Sequence, residues 1–284
     1  MEIKEVTNVL ETILPGSDIL ESDIYFEPLS MSGLKEMHEY SIDERLYEFF
    51  EFKSFETIND TKNYINKLLN KRMSYEGDQK QGMYWFIRRI NDKKLLGTAC
   101  VVNIDYSRKS LEWGYAVDPE LWGLGYILSI QESLKEYIFE VLKFNRIYGQ
   151  TMITNKRTIS SLLACGMIKE GILRDFYCKK GVFVDGWSYA MLKEDFDRSK
   201  DVQNQLKESV SIMELVTLVQ SILEEENIEE GSNMENTPSW DSLSHMNIIV
   251  KIFKKYKYQL KPIEVSKARS IKHLYEILNA SSKG

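Results

Sequence analysis

One stretch limits what this chain can fold into: residues 110–142, SLEWGYAVDPELWGLGYILSIQESLKEYIFEVL. Leu111 to Val117 is rich in aromatic and β-branched residues and reads as a strand. Asp118-Pro119 stops it, because proline cannot donate to a strand ladder. Trp122-Gly123-Leu124-Gly125-Tyr126 then runs into a helical pattern, with Ile127, Ile130, Leu134, Ile138, Val141 and Leu142 on one side. A strand, a glycine turn and a helix N-terminus aim backbone N–H groups and the positive end of a helix dipole at one spot. A pyrophosphate fits there, and so does a plain tight turn with no ligand. The spacing lacks the lysine and Ser/Thr of a Walker loop and the third glycine of a Rossmann turn.

The stretch Pro119-Glu120-Leu121-Trp122-Gly123-Leu124-Gly125-Tyr126-Ile127 resembles the coenzyme A loop of the GNAT N-acyltransferase superfamily. The closest branch is the one that acetylates ribosomal-protein N-termini. The family's usual small residue at the last place is Ile127 here, a β-branched side chain close to where the pyrophosphate would lie. A second segment, Asn155 to Met167, is similar to the family's Asn-x-x-Ser-Ile-x-x-Leu-x-x-x-Gly-Phe run, and Glu170-Gly171-x-Leu173-Arg174 and Asp185-x-x-x-Tyr189 follow the same branch. The resemblance implies an α/β fold of the α+β GNAT type, a mixed central sheet flanked by helices. It implies coenzyme contacts at Val117, Trp122, Gly123, Leu124, Gly125, Tyr126, Ile127 and Asn155. It makes Glu112 a candidate base acting through water and Tyr177 a candidate acid for the leaving thiolate. Read without the family, Glu112 is an exposed strand carboxylate and Asn155 an ordinary helix cap.

The order of elements agrees with such a domain. Asp23 to Leu29 reads as a strand, Leu34 to Tyr40 as a helix, and Asp60 to Met73 as a second helix capped by Asp60. Tyr84 to Ile90 and Leu95 to Ile104 read as a hairpin, Arg146 to Ile153 as a strand, and Thr158 to Ala164 as a short helix. Phe176 to Lys180 and Val184 to Leu192 close the pattern as another hairpin. Residues 2–14 carry apolar side chains at helical spacing and read as an add-on helix.

Beyond residue 196 the chain turns polar and loses its period, which is linker composition. Ser211-Ile212-Met213-Glu214 is a capping box opening a helix. Trp240-Asp241-Ser242-Leu243 opens another, and a final helix spans Ser270 to Leu278. A four-helix layout with Asp-Ser-Leu at a helix start resembles an acyl carrier protein, in which Ser242 would bear 4′-phosphopantetheine. A hydroxyl at a helix N-terminus suits a phosphodiester because the dipole stabilises the anion. The bland reading of Asp-Ser at that place is a cap. Carrier helices after the serine are usually acidic. Here Lys251, Lys254, Lys255 and Lys257 make it basic, which would favour docking in cis on an acidic catalytic domain; a solvated lysine-rich face is the plain alternative.

The divisions read from sequence are an N-terminal helix over 1–22, an acyltransferase domain over 23–196, a linker over 197–208 and an all-α four-helix carrier domain over 209–284. With 37 basic and 43 acidic residues the formal charge is −6, which argues against a nucleic-acid partner. No apolar run reaches the length of a membrane span, so no membrane partner is expected. Cys100, Cys165 and Cys178 are odd in number and lack metal-type spacing, and His38, His245 and His273 lie far apart. No metal is expected, and the thiols fit a reducing cytoplasm.

The resulting expectation is an N-acyltransferase that moves an acyl group from a thioester to a small amine, such as an amino sugar. The thioester would be carried on Ser242 or supplied as acyl-CoA or acetyl-CoA. Its partners would be the amine, the donor, a phosphopantetheinyl transferase and the carrier domain docked in cis or trans. Two alternatives stand beside it: a module that loads its own carrier thiol, and an inactive platform for carrier docking.

Overall fold

The computed structural model describes residues 24–71, 82–203, 210–256, 258, 260 and 262–280. The add-on helix read over 2–14 lies outside them.

Among the described residues the N-terminal part is one sheet of seven strands: β1 Ile24–Pro28, β2 Met83–Arg89, β3 Leu95–Asp105, β4 Ser110–Val117, β5 Arg146–Met152, β6 Ile168–Lys179 and β7 Val182–Leu192. Their spatial order is β1-β2-β3-β4-β5-β7-β6. β1 to β4 are antiparallel neighbours, as are β5 with β7 and β7 with β6, whereas β4 and β5 are parallel. A parallel pair needs a crossover. It is supplied by α3, Tyr126–Glu136, continued by a π-type turn over Tyr137–Val141.

Two apolar layers cover the sheet. On one face α1, Leu34–Ser41, and α2, Ile58–Asn70, pack Met37, Tyr40, Ile65 and Leu68 against Leu29, Phe86 and Leu95. On the other, α3 and α4, Lys156–Ala164, bury Leu128, Ile130, Leu134 and Leu162 against Trp85, Val101, Leu111 and Trp113. Buried Lys135 ties these two helices together, pairing with Glu132 at 2.5 Å and donating to the Cys165 carbonyl at 2.9 Å.

α5, Lys193–Gln203, is followed by four helices: α6 Ile212–Leu223, α7 Ser242–Tyr256, α8 Pro262–Lys267 and α9 Ile271–Ala280. They share a core that includes Leu215, Val219, Trp240, Ile248, Ile252, Leu274 and Leu278. The group lies directly on the N-terminal part, α7 against α4 and α8 against α3. Ser160 of α4 donates to Asn247 Oδ1 of α7 at 2.7 Å.

Several local expectations are corrected. The N-cap of α2 is Thr57; Asp60 is the third helical residue, and its carboxylate accepts from the Thr57 backbone at 2.8 Å to close a capping box. The π-type turn, with Leu142 N donating to Tyr137 O at 2.9 Å, shifts the helical phase. Phe139 therefore turns inward, and Val141, expected inside, is exposed. β6 starts at Ile168 instead of Phe176.

The polar stretch expected as a linker from 197 is helical through Gln203, and residues 204–209 lie outside the described part. Charge pairs at helical spacing, Lys193–Asp197 and Glu194–Arg198, support α5 where apolar periodicity is missing, and Phe196 anchors it on Phe139. Docking of a basic α7 face on the N-terminal part is not what Lys251 and Lys255 show. Lys255 pairs with Glu214 of α6 at 3.8 Å, and Lys251 lines the same shallow groove.

The candidate active site

β4 and β5 pair over three positions only, Ser110–Glu112 with Arg146–Tyr148. Past Glu112 the strands diverge. The β4 edge from Trp113 to Val117 and the β5 edge from Gly149 to Met152 both line a cavity of about 410 Å³. Each strand is paired on its far side, to β3 and β7, so the near edges offer backbone N–H and C=O groups to whatever enters. An extended chain carrying amide groups fits such a slot.

At the wide end of the slot lies the glycine turn. Gly123 and Gly125 have φ of +78° and +84°, the left-handed region that glycine adopts at low cost. Gly125 is the N-cap of α3 and supplies no side-chain hydrogen bond, so the first-turn N–H groups of this helix lack a side-chain cap. Trp122 folds back and donates its indole N–H to the Val117 carbonyl at 3.1 Å, while the Arg157 guanidinium lies 5.0 Å from the centre of its ring. Tyr126 Oη accepts from Arg89 at 3.2 Å. Ile127 is half-buried, packs on the core and also lines the cavity. Asn155 lines it too, while its Oδ1 caps α4 by accepting from Thr158 N at 3.2 Å. Leu124 alone of the expected coenzyme contacts does not line the cavity; its side chain packs against the core.

Ser242 reaches the same turn from the C-terminal helices. A β-carbon built on Gly123 would stand 2.6 Å from Ser242 Cβ, closer than any real contact of that kind. Leu243 and Met246, the next residues of α7 on that side, line the cavity with it. Capping of α7 falls to Asp241, whose Oδ1 accepts from Leu243 N at 2.9 Å and Ser244 N at 2.8 Å. The helix start therefore does not depend on the Ser242 hydroxyl.

At the narrow end is Glu112. From Val117 back to Glu112 is five residues of strand, about 17 Å. Burial pushes the Glu112 carboxyl above the usual carboxylate range, partly offset by Asn103 Nδ2, which donates to it at 2.6 Å. Tyr177 lines the same end, and burial, then Glu112 and Glu51, pushes its phenol up to about 12, so it is protonated at neutral pH. Burial and Glu112 push the Cys100 thiol up to about 12, which leaves it protonated and unreactive.

The sequence reading missed Asn103, which has φ of +50° and sits where the β3–β4 register shifts. It also missed Tyr115, whose hydroxyl accepts from Gln131 Nε2 at 2.6 Å and lies 3.3 Å from Ser161 Oγ. Leu243 and Met246 were missed because their place in the cavity depends on how α7 packs against α4. Among the described residues no cluster of His, Cys, Asp and Glu suits a metal, and no helix is long and apolar enough to cross a membrane.

A family model described as an acetyltransferase (GNAT) domain matches residues 23–168. The chain belongs to the GNAT acetyltransferase family. Its GNAT domain is 30% identical over 115 residues to the uncharacterized N-acetyltransferase YoaA of Bacillus subtilis, covering 40% of this chain and 65% of that protein. It is 20% identical to the spermidine N(1)-acetyltransferase of Vibrio cholerae, over 58% of this chain and 91% of that protein. Among solved structures, a GCN5-related N-acetyltransferase from Brucella melitensis shares the fold at TM-score 0.58 and 16% identity, over 68% of this chain and 85% of that one. A spermidine N-acetyltransferase from Vibrio cholerae, solved with CoA and spermine, does so at TM-score 0.52 and 18% identity, over 62% and 99%.

Proposed function

We propose that this GNAT domain is an N-acyltransferase whose donor thioester rides on 4′-phosphopantetheine attached to Ser242, the four C-terminal helices being a carrier docked in cis. The observation that carries the reading is the contact of Ser242 with the Gly123 turn. A phosphodiester on that hydroxyl would lie against a glycine turn and a helix N-terminus without a side-chain cap, the surroundings that favour an anion. The slot between β4 and β5 leads from there to Glu112.

Held on Ser242, the arm would supply the acyl thioester and a thiol as the leaving group. The chain's own residues do the rest. Backbone groups on the open edges of β4 and β5 hold the amides of the arm and an N–H near Val117 is a candidate for one of them. Glu112, raised by burial, takes the proton the amine loses, through water. Tyr177, protonated, gives a proton to the departing sulfur and recovers one from Glu112 or solvent. The carbon–nitrogen bond forms as the carbon–sulfur bond breaks.

The alternative in which the carrier thiol receives an acyl group from acyl-CoA is less well supported, because Ser242 and a coenzyme pyrophosphate claim the same turn. Use of free acyl-CoA by an undocked chain stays compatible with the same chemistry. The test is to treat the full chain with a phosphopantetheinyl transferase and acetyl-CoA, then add amine. One acetyl-phosphopantetheine mass should appear, be absent in Ser242→Ala, and lose its acetyl group to the amine. Labelling that persists in Ser242→Ala removes the carrier assignment.

A further inference from the structure

One wall of the cavity, facing Glu112, differs in kind from the slot. It is built by Leu46, Phe49, Phe50, Tyr64, Tyr84 and Tyr177. A second row of rings backs it: Phe52 lies 5.1 Å from Phe50, and Phe55 lies 5.2 Å from Tyr64, between ring centres. The segment carrying Phe49 and Phe50 is fastened across the β6–β7 hairpin. Lys179 Nζ donates to the carbonyls of Tyr47 at 2.8 Å, Phe50 at 3.1 Å and Glu48, and Glu51 accepts from Cys178 N at 2.7 Å. The rings are thus held in place before any ligand arrives, which lowers the ordering cost of binding.

Charge narrows the choice further. Among the described lining residues Glu112 is the only carboxylate. The lining cations are Arg45, paired with Asp43 at 2.5 Å and with Glu120, and Arg157, paired with Glu48 at 3.5 Å. A polyamine would place its second ammonium in this cavity with no anionic partner among the described lining residues, and an unpaired buried charge is costly. An amino sugar would need hydrogen-bond partners for several hydroxyls, and this wall offers chiefly tyrosine hydroxyls. A flat apolar body with one nitrogen meets neither penalty and gains aromatic contact.

We infer that the acceptor is a monoamine carrying a flat apolar body, of the arylalkylamine class. Its ring lies against Phe49, Phe50 and Tyr64, and its nitrogen lies at Glu112. The inference rests on the acyltransferase reading for turnover but not for binding, so the two are measured apart. Calorimetry of the uncharged full chain with 2-phenylethylamine, spermidine and glucosamine tests the cavity. Turnover of the acetyl-charged chain with the same amines tests the chemistry.

2-Phenylethylamine should bind, and its kcat/KM should exceed that of the other two by about ten- to hundredfold, the range that hydrophobic contacts supply in a specificity pocket. Phe50→Glu should weaken its binding and improve that of spermidine. Phe49→Ala, at a half-buried position outside the ring pairs, should weaken binding of 2-phenylethylamine without a change in fold. Binding of 2-phenylethylamine without turnover leaves the cavity assignment intact and sinks the acyltransferase reading. Spermidine or glucosamine binding as well as 2-phenylethylamine overturns the inference. So does a turnover that rises on replacing acetyl by octanoyl and ignores the amine's body, since the wall then holds the acyl chain.

Discussion

Ser242 Cβ stands 2.6 Å from the place where a β-carbon on Gly123 would be, so the first residue of α7 and the glycine turn of the GNAT domain exclude each other's growth. Gly123 also has φ of +78°, which side chains rarely adopt. Gly123→Ala should therefore remove the docked position of Ser242 and cut acyl transfer from it at least about tenfold. The C-terminal helices should stay folded, because Gly123 lies outside them and their core residues are unchanged. Circular dichroism with single-turnover transfer checks it. Unchanged transfer in the folded variant means that the contact has no part in delivery.

Docking also rests on one hydrogen bond between Ser160 and Asn247, 2.7 Å long and partly buried. Asn247→Leu leaves the Ser160 hydroxyl without this partner, at a cost on the order of 1 kcal/mol. If free coenzyme A competes with Ser242 for the turn, it should then bind about fivefold more tightly in the variant than in the parent chain. Titration calorimetry reads this directly. Equal affinities would separate the coenzyme site from the Ser242 contact.

Glu112 should behave as a base with a raised pKa. Glu112→Gln is expected to lower kcat/KM by about 10²–10⁴. In the parent chain the acidic limb of the pH profile should lie above the ordinary carboxylate range, because burial favours the neutral form. Asn103→Ala removes a hydrogen bond that lowers the Glu112 pKa, so the limb should move to higher pH. Tyr177, at about 12, adds no limb near neutral pH. A limb unmoved by Asn103→Ala would assign it to another group.

How much of this was legible in sequence depended on range. The turn at Trp122–Tyr126 was readable because two glycines before an apolar period dictate local backbone. Ser211 with Glu214 was readable as a capping box for the same reason, and the box is present. The divergence of β4 from β5 was not readable, since it depends on where each strand finds its other partner. Asn103 looked like an ordinary strand residue until a register shift turned it onto Glu112. The aromatic segment Leu46–Phe55 has no regular period, so nothing local marked it as a wall. α5 was hidden because charge pairs at four-residue spacing, not apolar ones, support it.

His245 gives the C-terminal helices a pH dependence. It is buried and neutral, accepting from Trp240 Nε1 at Nδ1 (3.2 Å) and meeting the Val265 carbonyl at Nε2 (3.2 Å). Burial lowers its pKa to about 4 from an ordinary value of 6.5. The unfolded chain binds the proton first, so this contribution is complete above about pH 6.5 and is lost as pH falls toward 4. Urea unfolding followed by tryptophan fluorescence should show that loss, and His245→Asn should flatten it. Equal slopes in both chains would move the effect to the carboxylates.

The central claim is that the acyl group travels from Ser242 to the amine within one chain. The most direct measurement charges the full chain with radiolabelled acetyl-phosphopantetheine, adds amine, and follows loss of label at several protein concentrations. Tethering makes the encounter intramolecular, so the account predicts a first-order rate independent of protein concentration and about 10²–10⁴-fold lower in Glu112→Gln. Label that stays on Ser242, while Ser242→Ala acetylates the amine from free acetyl-CoA as fast as the parent chain, would contradict it.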